Sequence, residues 1–430
     1  MTAVVGILNK QAVALAADSA VTISGSNNRK IFNRANKVFT LSKYHPVGVM
    51  LYNSASFMAT PWETIIKTYR KKLGKDSFPT VKAYQDDFIQ FLHEKNLFSD
   101  EATQKNFLFS FCFSMIDVIT KDAVRAHRNL LQNPTYENQQ QIIDLLDAKA
   151  DEVTQQLETN LEICEEFENY TLENFSAFAD DLYAEVISQE FTNNGFVLPP
   201  ELITKFKSIL HQYLRRKEAF TNFTGLVFVG FGEEEIYPQL LPVNISLAVQ
   251  QRLRYFADTN NEASISNLAQ GAIRPFAQTD VIDTILTGID PTLDNTYLKN
   301  FVSAFTKYNQ EILGIIGDAN PELAAQIQGL DVNALAEAYA AKNNETKRSN
   351  YIDPLMNAVS NLSKEDLAEM AESLIYLTYL KRRITFAEES VGGPVDVAII
   401  SKGDGFIWIK RKHYFRQELN QHFLDNYFNT

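Results

Sequence analysis

Cysteine is scarce in this chain: Cys112 and Cys164 are the only two in 430 residues. Both fall in helix-like apolar patterns, which predicts buried thiols and argues against a disulfide framework. Basic charge is short as well. Lys and Arg number 40 against 53 Asp and Glu, for a net charge of −13 and a pI near 5.1. Sequence-independent nucleic-acid binding needs basic surface to neutralise phosphates, and docking on anionic lipid needs the same. Neither partner is therefore expected. No apolar run approaches the roughly 18 residues of a membrane-spanning helix. The histidines (His45, His93, His127, His211, His413 and His422) show no ligand spacing. Glu233-Glu234-Glu235 reads as a solvated acidic loop, so no metal site is expected, and no cofactor. What is present is ordinary globular composition, 45% apolar and 22% charged, in a chain long enough for one large core or several smaller ones. A cytoplasmic location is the expectation.

The most informative stretch is the first. Thr2-Ala3-Val4-Val5-Gly6-Ile7-Leu8 reads as a strand, followed by a polar turn at Asn9-Lys10-Gln11 and a second apolar run, Ala12 to Ala17, ending in Asp18-Ser19. The Ala12–Ala17 run superficially resembles a signal-peptide core. It lacks a basic segment ahead of it, and alternation about the polar turn reads better as a β-hairpin. A methionine before a small residue is the kind of start that aminopeptidases trim. Trimming would leave Thr2 with a free α-amine beside its own hydroxyl, so that nucleophile and base sit on one residue.

Texture divides the rest. Strands are expected at 37–41 and 47–52, with a polar loop from Ile23 to Asn36 before them. A helix is expected from Pro61, with Thr60 as its N-cap. Helical spacing fills 78–217. Strand texture returns at Gly225–Gly232 and Tyr237–Val243, and residues 275–386 are again largely helical. The run Val395-Asp396-Val397-Ala398-Ile399-Ile400-Ser401 and the run from Gly405 to Lys410 flank a tight turn at Lys402-Gly403-Asp404-Gly405, a strong hairpin signal. The expected division is 1–60 (first core part), 61–221 (first core helix plus a helical insertion), 222–285 (second core part), 286–363 (a second helical insertion) and 364–430 (third core part and tail).

These residues carry a resemblance. Thr2-Ala3-Val4-Val5-Gly6, then Ala16-Ala17-Asp18, then Lys37-Val38-Phe39, resemble the opening of the proteasome-type N-terminal nucleophile hydrolases. The segment Glu388-Glu389-Ser390-Val391-Gly392-Gly393-Pro394-Val395-Asp396-Val397 resembles that family's last supporting motif and strand. Together the matching parts cover roughly 160 residues. The resemblance implies an α+β fold, a four-layer αββα sandwich of two antiparallel sheets between helices, here with two large helical insertions. It implies Thr2 as nucleophile, Asp18 and Lys37 as its support, and backbone donors at Asn53, where the family has glycine. Glu388 replaces the family's aspartate. Ser390 is the nearest serine to the supporting position, which Val391 occupies. Val21, Thr22 and Ala55 would line the substrate side. It also implies a peptide or protein substrate and a homo-oligomer, and leaves open any ATPase or other protein partner.

The chemistry asks for these residue types independently. An α-amine titrates near 8, low enough to accept a hydroxyl proton at neutral pH. A Lys37 cation would lower it further by like-charge repulsion, and Asp18 would hold that cation in place. Lys30 is a rival for the Lys37 role. Asp18 could equally be a turn residue that ends a hairpin. The function expected is a threonine-type amidohydrolase, most simply a peptidase, acting through an acyl-enzyme. The alternatives are an inactive scaffold of the same fold, which the departures at Val391 and Asn53 favour, and a small-molecule amidase.

Overall fold

A computed structural model describes residues 2–24, 29–32, 35–125, 136–159, 162–217, 222–316, 320–385, 391–413, 415–416 and 419–421, and of residues 21–24, 29–32, 136–137 and 159 the backbone alone. It is a mixed α/β protein with antiparallel sheets and many helices, divided into two units. One comprises Met1–Val38, Glu235–Gln239 and Ala263–Thr430; the other Phe39–Glu234 and Leu240–Glu262. The strands are β1 (Ala3–Asn9), β2 (Val13–Ala17), β3 (Val21–Ser24), β4 (Arg29–Phe32), β5 (Val38–Thr40), β6 (Val47–Asn53), β7 (Ser56–Phe57), β8 (Thr60–Pro61), β9 (Thr224–Gly230), β10 (Gln239–Val249), β11 (Arg252–Ala257), β12 (Ala263–Ser264), β13 (Gly271–Ala277), β14 (Asp396–Ser401) and β15 (Gly405–Lys410). The helices are α1 (Trp62–Leu73), α2 (Val81–Glu94), α3 (Glu101–Ala123), α4 (Tyr136–Thr159), α5 (Leu172–Glu190), α6 (Pro200–Arg215), α7 (Asp280–Thr287), α8 (Pro291–Ile316), α9 (Pro321–Gln328), α10 (Val332–Lys347), α11 (Asp353–Val359) and α12 (Lys364–Ile384).

In the first unit a five-stranded sheet runs β13-β1-β2-β14-β15, with every neighbouring pair antiparallel. The tip of the β1–β2 hairpin is an Asx turn: Asn9 Oδ1 accepts from the N–H groups of Gln11 (2.9 Å) and Ala12 (3.1 Å). Such a side chain stands in for a backbone turn. Asn9 Nδ2 then donates to the carbonyls of Val359 (3.2 Å) and Leu362 (2.9 Å), which fixes the tip against the helices. Because side chains alternate along a strand, Ala3, Val5 and Ile7 of β1 fall on one face. With Ala14 and Ala16 of β2 they meet Leu367, Ala371, Leu374 and Ile375 of α12. The helical spacing of those α12 residues makes the apolar stripe that the sheet needs. The other face is also closed to solvent, since every residue of β1 and β2 is buried. α12 starts on a capping box between Ser363 and Asp366.

In the second unit the sheet path is β11-β10-β9-β6-β5. Val47, Val49, Leu51, Leu226 and Phe228 pack with Trp62, Ile65, Ile66 and Tyr69 of α1 and with Phe88 and Phe91 of α2. The alternate residues Met50, Val227 and Val229 are buried too. Helices α3–α6 build a separate core that holds Cys112 and Cys164 as free, buried thiols; burial pushes the Cys112 thiol up. Arg254, wholly buried, closes the end of α6 by donating to the carbonyls of Tyr213 (2.9 Å), Leu214 (2.7 Å) and Arg216 (2.8 Å). They belong to the end of the helix, where carbonyls run short of intrahelical partners; Tyr213 O also accepts from Arg216 N–H at 3.3 Å.

Three expectations need correction. Thr60 is not the cap of α1. It pairs with Phe57 in a short β-bridge, and Pro61 holds the N-cap position without a side-chain bond. The stretch read as one polar loop, Ile23 to Asn36, holds the end of β3 and all of β4, which pair antiparallel. β11 and β13 were not expected as strands. Residues 275–277, expected to be helical, complete β13; Pro275 is accommodated because β13 is an edge strand, where a missing N–H on the outer side breaks no ladder bond. Among the described residues no helix is long and apolar enough to cross a membrane.

Candidate active site

Thr2 sits immediately before β1 and is 2% exposed. Its carbonyl accepts from Gln278 N–H at 3.1 Å, continuing the β1–β13 ladder by one step. Across the hairpin, Ala3 N–H donates to Asp18 Oδ1 at 2.9 Å, and Asp18 N–H donates back to Ala3 O at 3.1 Å. The carboxylate next to Thr2 is thus locked by the same strand pairing that positions Thr2.

Asp18 gathers four donors. Oδ1 takes Ala3 N–H and Lys37 Nζ, the latter at 2.6 Å. Oδ2 takes the N–H groups of Ala20 (3.0 Å) and Gly392 (3.1 Å). That fills the acceptor capacity of a carboxylate. Lys37 Nζ also donates to Ala20 O at 2.6 Å. Lys37 and Asp18 are 3% and 1% exposed. Burial pulls the Lys37 ammonium below the ordinary lysine value, and the Asp18 charge and hydrogen bond oppose it. Ser19 N–H donates to Gly392 O (3.0 Å) and Ala35 N–H to Ser19 O (3.0 Å); Ser19 Oγ donates to Pro394 O. The Gly392-Gly393-Pro394 segment and the residues leading to Lys37 are therefore both stitched to the end of β2.

Of the residues expected to act together, Thr2, Asp18 and Lys37 are brought to one place. Lys37 is the lysine on Asp18; Lys30 lies in β4, opposite Ile23. Val21 and Thr22 form part of β3, opposite Phe32 and Ile31. Asn53 and Ala55 belong to the second unit. Asn53 is exposed at the end of β6 with φ of 65°, an uncommon conformation that asparagine tolerates better than most residues. Met1, Glu388 and Ser390 lie outside the described residues. Val391 is buried, in the apolar cluster under α12. No group of three or more metal-ligating side chains occurs among the described residues.

No family model matches the chain, and no curated protein does. Among solved structures it is similar to a Gly-1 mutant of Anbu from Hyphomicrobium sp. strain MC1. The identity is 10%, over 100% of this chain and 96% of that one, with a TM-score of 0.27. A likeness of that size bears no weight, and the chemistry stands on the residues alone.

Sequence reading missed two charged residues in this neighbourhood. Asp396, the first residue of β14, lies opposite Ala17, and Ala17 lies opposite Val4. Asp396 is 1% exposed. Its Oδ1 accepts from Lys412 N–H at 2.9 Å, and its Oδ2 is paired with Lys412 Nζ. A signal was available: one carboxylate inside an otherwise apolar strand, Val395 to Ile400, must find a partner if buried. The cationic run Lys410-Arg411-Lys412, which begins on the last residue of β15, was the nearest supply.

Proposed function

We propose that the chain is a threonine-type N-terminal nucleophile hydrolase acting on amide bonds, most simply those of peptides, once Met1 is removed. The observation that carries this reading is the Asp18 carboxylate, which holds Lys37 Nζ at 2.6 Å and the amide of the residue after Thr2 at 2.9 Å. In the proposed reaction Thr2 Oγ attacks the carbonyl carbon and its proton passes to the α-amine. Lys37, as a cation, lowers the pKa of that amine by like-charge repulsion. The amine then protonates the leaving nitrogen. The resulting ester is hydrolysed by a water molecule whose proton the amine accepts, and Thr2 is regenerated. The fold proposed with it is the four-layer αββα sandwich. It is supported in each unit separately by a sheet with helices on one face and a second face closed to solvent. The division into core parts and two helical insertions, the cytoplasmic location and a homo-oligomeric state belong to the same proposal; native mass measurement tests the last.

The inactive-scaffold reading keeps one observation in its favour. Val391, at the position of the supporting serine, is 2% exposed and packed among apolar side chains. N-terminal sequencing with β-lactone or epoxyketone labelling separates the two. The enzyme reading expects Thr2 at the amino terminus and one label on it, lost in Thr2→Ala. A retained Met1, or labelling that persists in Thr2→Ala, overturns it.

A further inference from the structure

The Asp396–Lys412 pair has no part in the reaction above, yet both groups are nearly out of water, at 2% and 10% side-chain exposure. Val4, Ala17 and Asp396 stand in one row across β1, β2 and β14. Asp18 is the next residue after Ala17, so Asp18 and Asp396 are diagonal neighbours on strands that run about 5 Å apart. Val397 and Ile399 pack under α12. By strand alternation Asp396 points to the opposite face, as do Val4 and Ala17. One ion pair is thus set beside another in a region of low dielectric, where charges act over longer distances than in water.

We propose that Asp396 and Lys412 are positioning residues for Thr2, acting as a pair whose cancelled charges leave the field at Thr2 and Lys37 to Asp18. This rests on the reading of Thr2 as nucleophile. Either charge alone would shift that field. An unpaired Asp396 would hold protons on the amine and on Lys37, whereas an unpaired Lys412 would drive them off. The electrostatic signs at Lys37 agree, with Asp396 raising its pKa and Lys412 lowering it. Among the described residues, the titratable groups tied to these are Asp18 on Lys37, and His413, whose pKa burial and Arg411 lower and Asp396 raises. Arg382 and Asp280 meet each other, and Arg382 bonds Gln278 beside Thr2.

Four forms of the full chain test this: wild type, Asp396→Asn, Lys412→Met and the double variant. The Lys37 titration is followed by NMR on protein carrying 13C-labelled lysine, assigned with Lys37→Met. The pH profile of β-lactone labelling is measured in parallel. The expected result is opposite shifts of about 0.5–1 pH unit in both midpoints: upward in Lys412→Met, downward in Asp396→Asn, and back to wild type in the double variant. A drop in labelling with unmoved midpoints would mean that the pair only holds the fold, and overturns the proposal. Shifts of equal sign in the two single variants overturn it as well. If nothing labels Thr2 but Lys37 still shifts both ways, the nucleophile reading fails and the electrostatic pairing stands. Should Asp396→Asn not fold, the upward shift in Lys412→Met, or its absence, decides alone.

Discussion

At the scale of single residues, Asp18 is the position where stability and the proposed chemistry coincide. Its two oxygens face four donors, one of them the Lys37 ammonium. Asn in its place would turn an amide N–H₂ toward one pair of these donors and leave Lys37 without a counter-charge. Removing one partner of a buried pair costs about 3–5 kcal/mol, so Asp18→Asn should show a loss of that size in urea unfolding, read with an unchanged m-value. Lys37 adds a pH dependence with a definite sign. Its folded-state pKa lies below the ordinary 10.5. Between the two values the unfolded chain holds a proton that the folded chain has released, so stability rises with pH across that window. The stability of wild type minus that of Lys37→Met should therefore climb toward pH 10.5 and level off above it; a falling difference in alkaline urea titrations would reverse the assignment. The placing of Asp18 beside Thr2 was legible because the hairpin register that pairs Ala3 with Asp18 follows from two apolar runs about one polar turn; Lys37 was suggested by the family resemblance alone. Asp396 and Lys412 were not legible. Their meeting depends on where the chain turns after β15, and no local pattern encodes that.

At the scale of elements, the backbone constraint at Gly230 is specific enough to test. Gly230 closes β9 opposite Val47 with φ of 137°, and an added Cβ would lie 2.0 Å from Pro46 O. That oxygen already accepts from Phe231 N–H at 3.0 Å, so it cannot retreat without breaking a hydrogen bond. Strain and overlap together should make Gly230→Ala destabilising by about 2–4 kcal/mol. Gly403 in the β14–β15 turn has nothing within 4 Å of its would-be Cβ, and Gly403→Ala serves as the control, within about 0.5 kcal/mol of wild type. Thermal and urea melts check both. Elements with strong periodic signals were readable in advance: β1, β2, β6, β9, β14, β15, and the helices that bury apolar stripes. Two misreadings turned on a residue whose role tertiary position decides. Pro275 sits harmlessly at a sheet edge, and Thr60 gives up a cap to join a bridge with Phe57.

At the scale of the whole molecule, burial is distributed unevenly, and local stability should follow it. All seven residues of β1 and all five of β2 are buried, so their amides open only when a whole core is lost. α8 is 26 residues long and buries none of them; α9 buries none, and α10 only Ala336. What holds α8 is side-chain contact at partial exposure, such as Phe301 stacked on Tyr339 with centroids 4.4 Å apart. Helices owe most of their stability to packing of an apolar face and little to propensity, so α8 to α10 should open at low free-energy cost. Native-state hydrogen exchange on the isolated chain should find their amides about a thousandfold or more less protected than those of β1 and β2. The large apolar side chains that α8 leaves in water, Leu293, Tyr297, Phe305, Tyr308 and Ile315, make the experiment discriminating. If association covers them in solution, protection in α8 rises with protein concentration while that of β1 stays constant. Protection in α8 equal to that of β1 at the lowest concentration measured would contradict the uneven distribution itself.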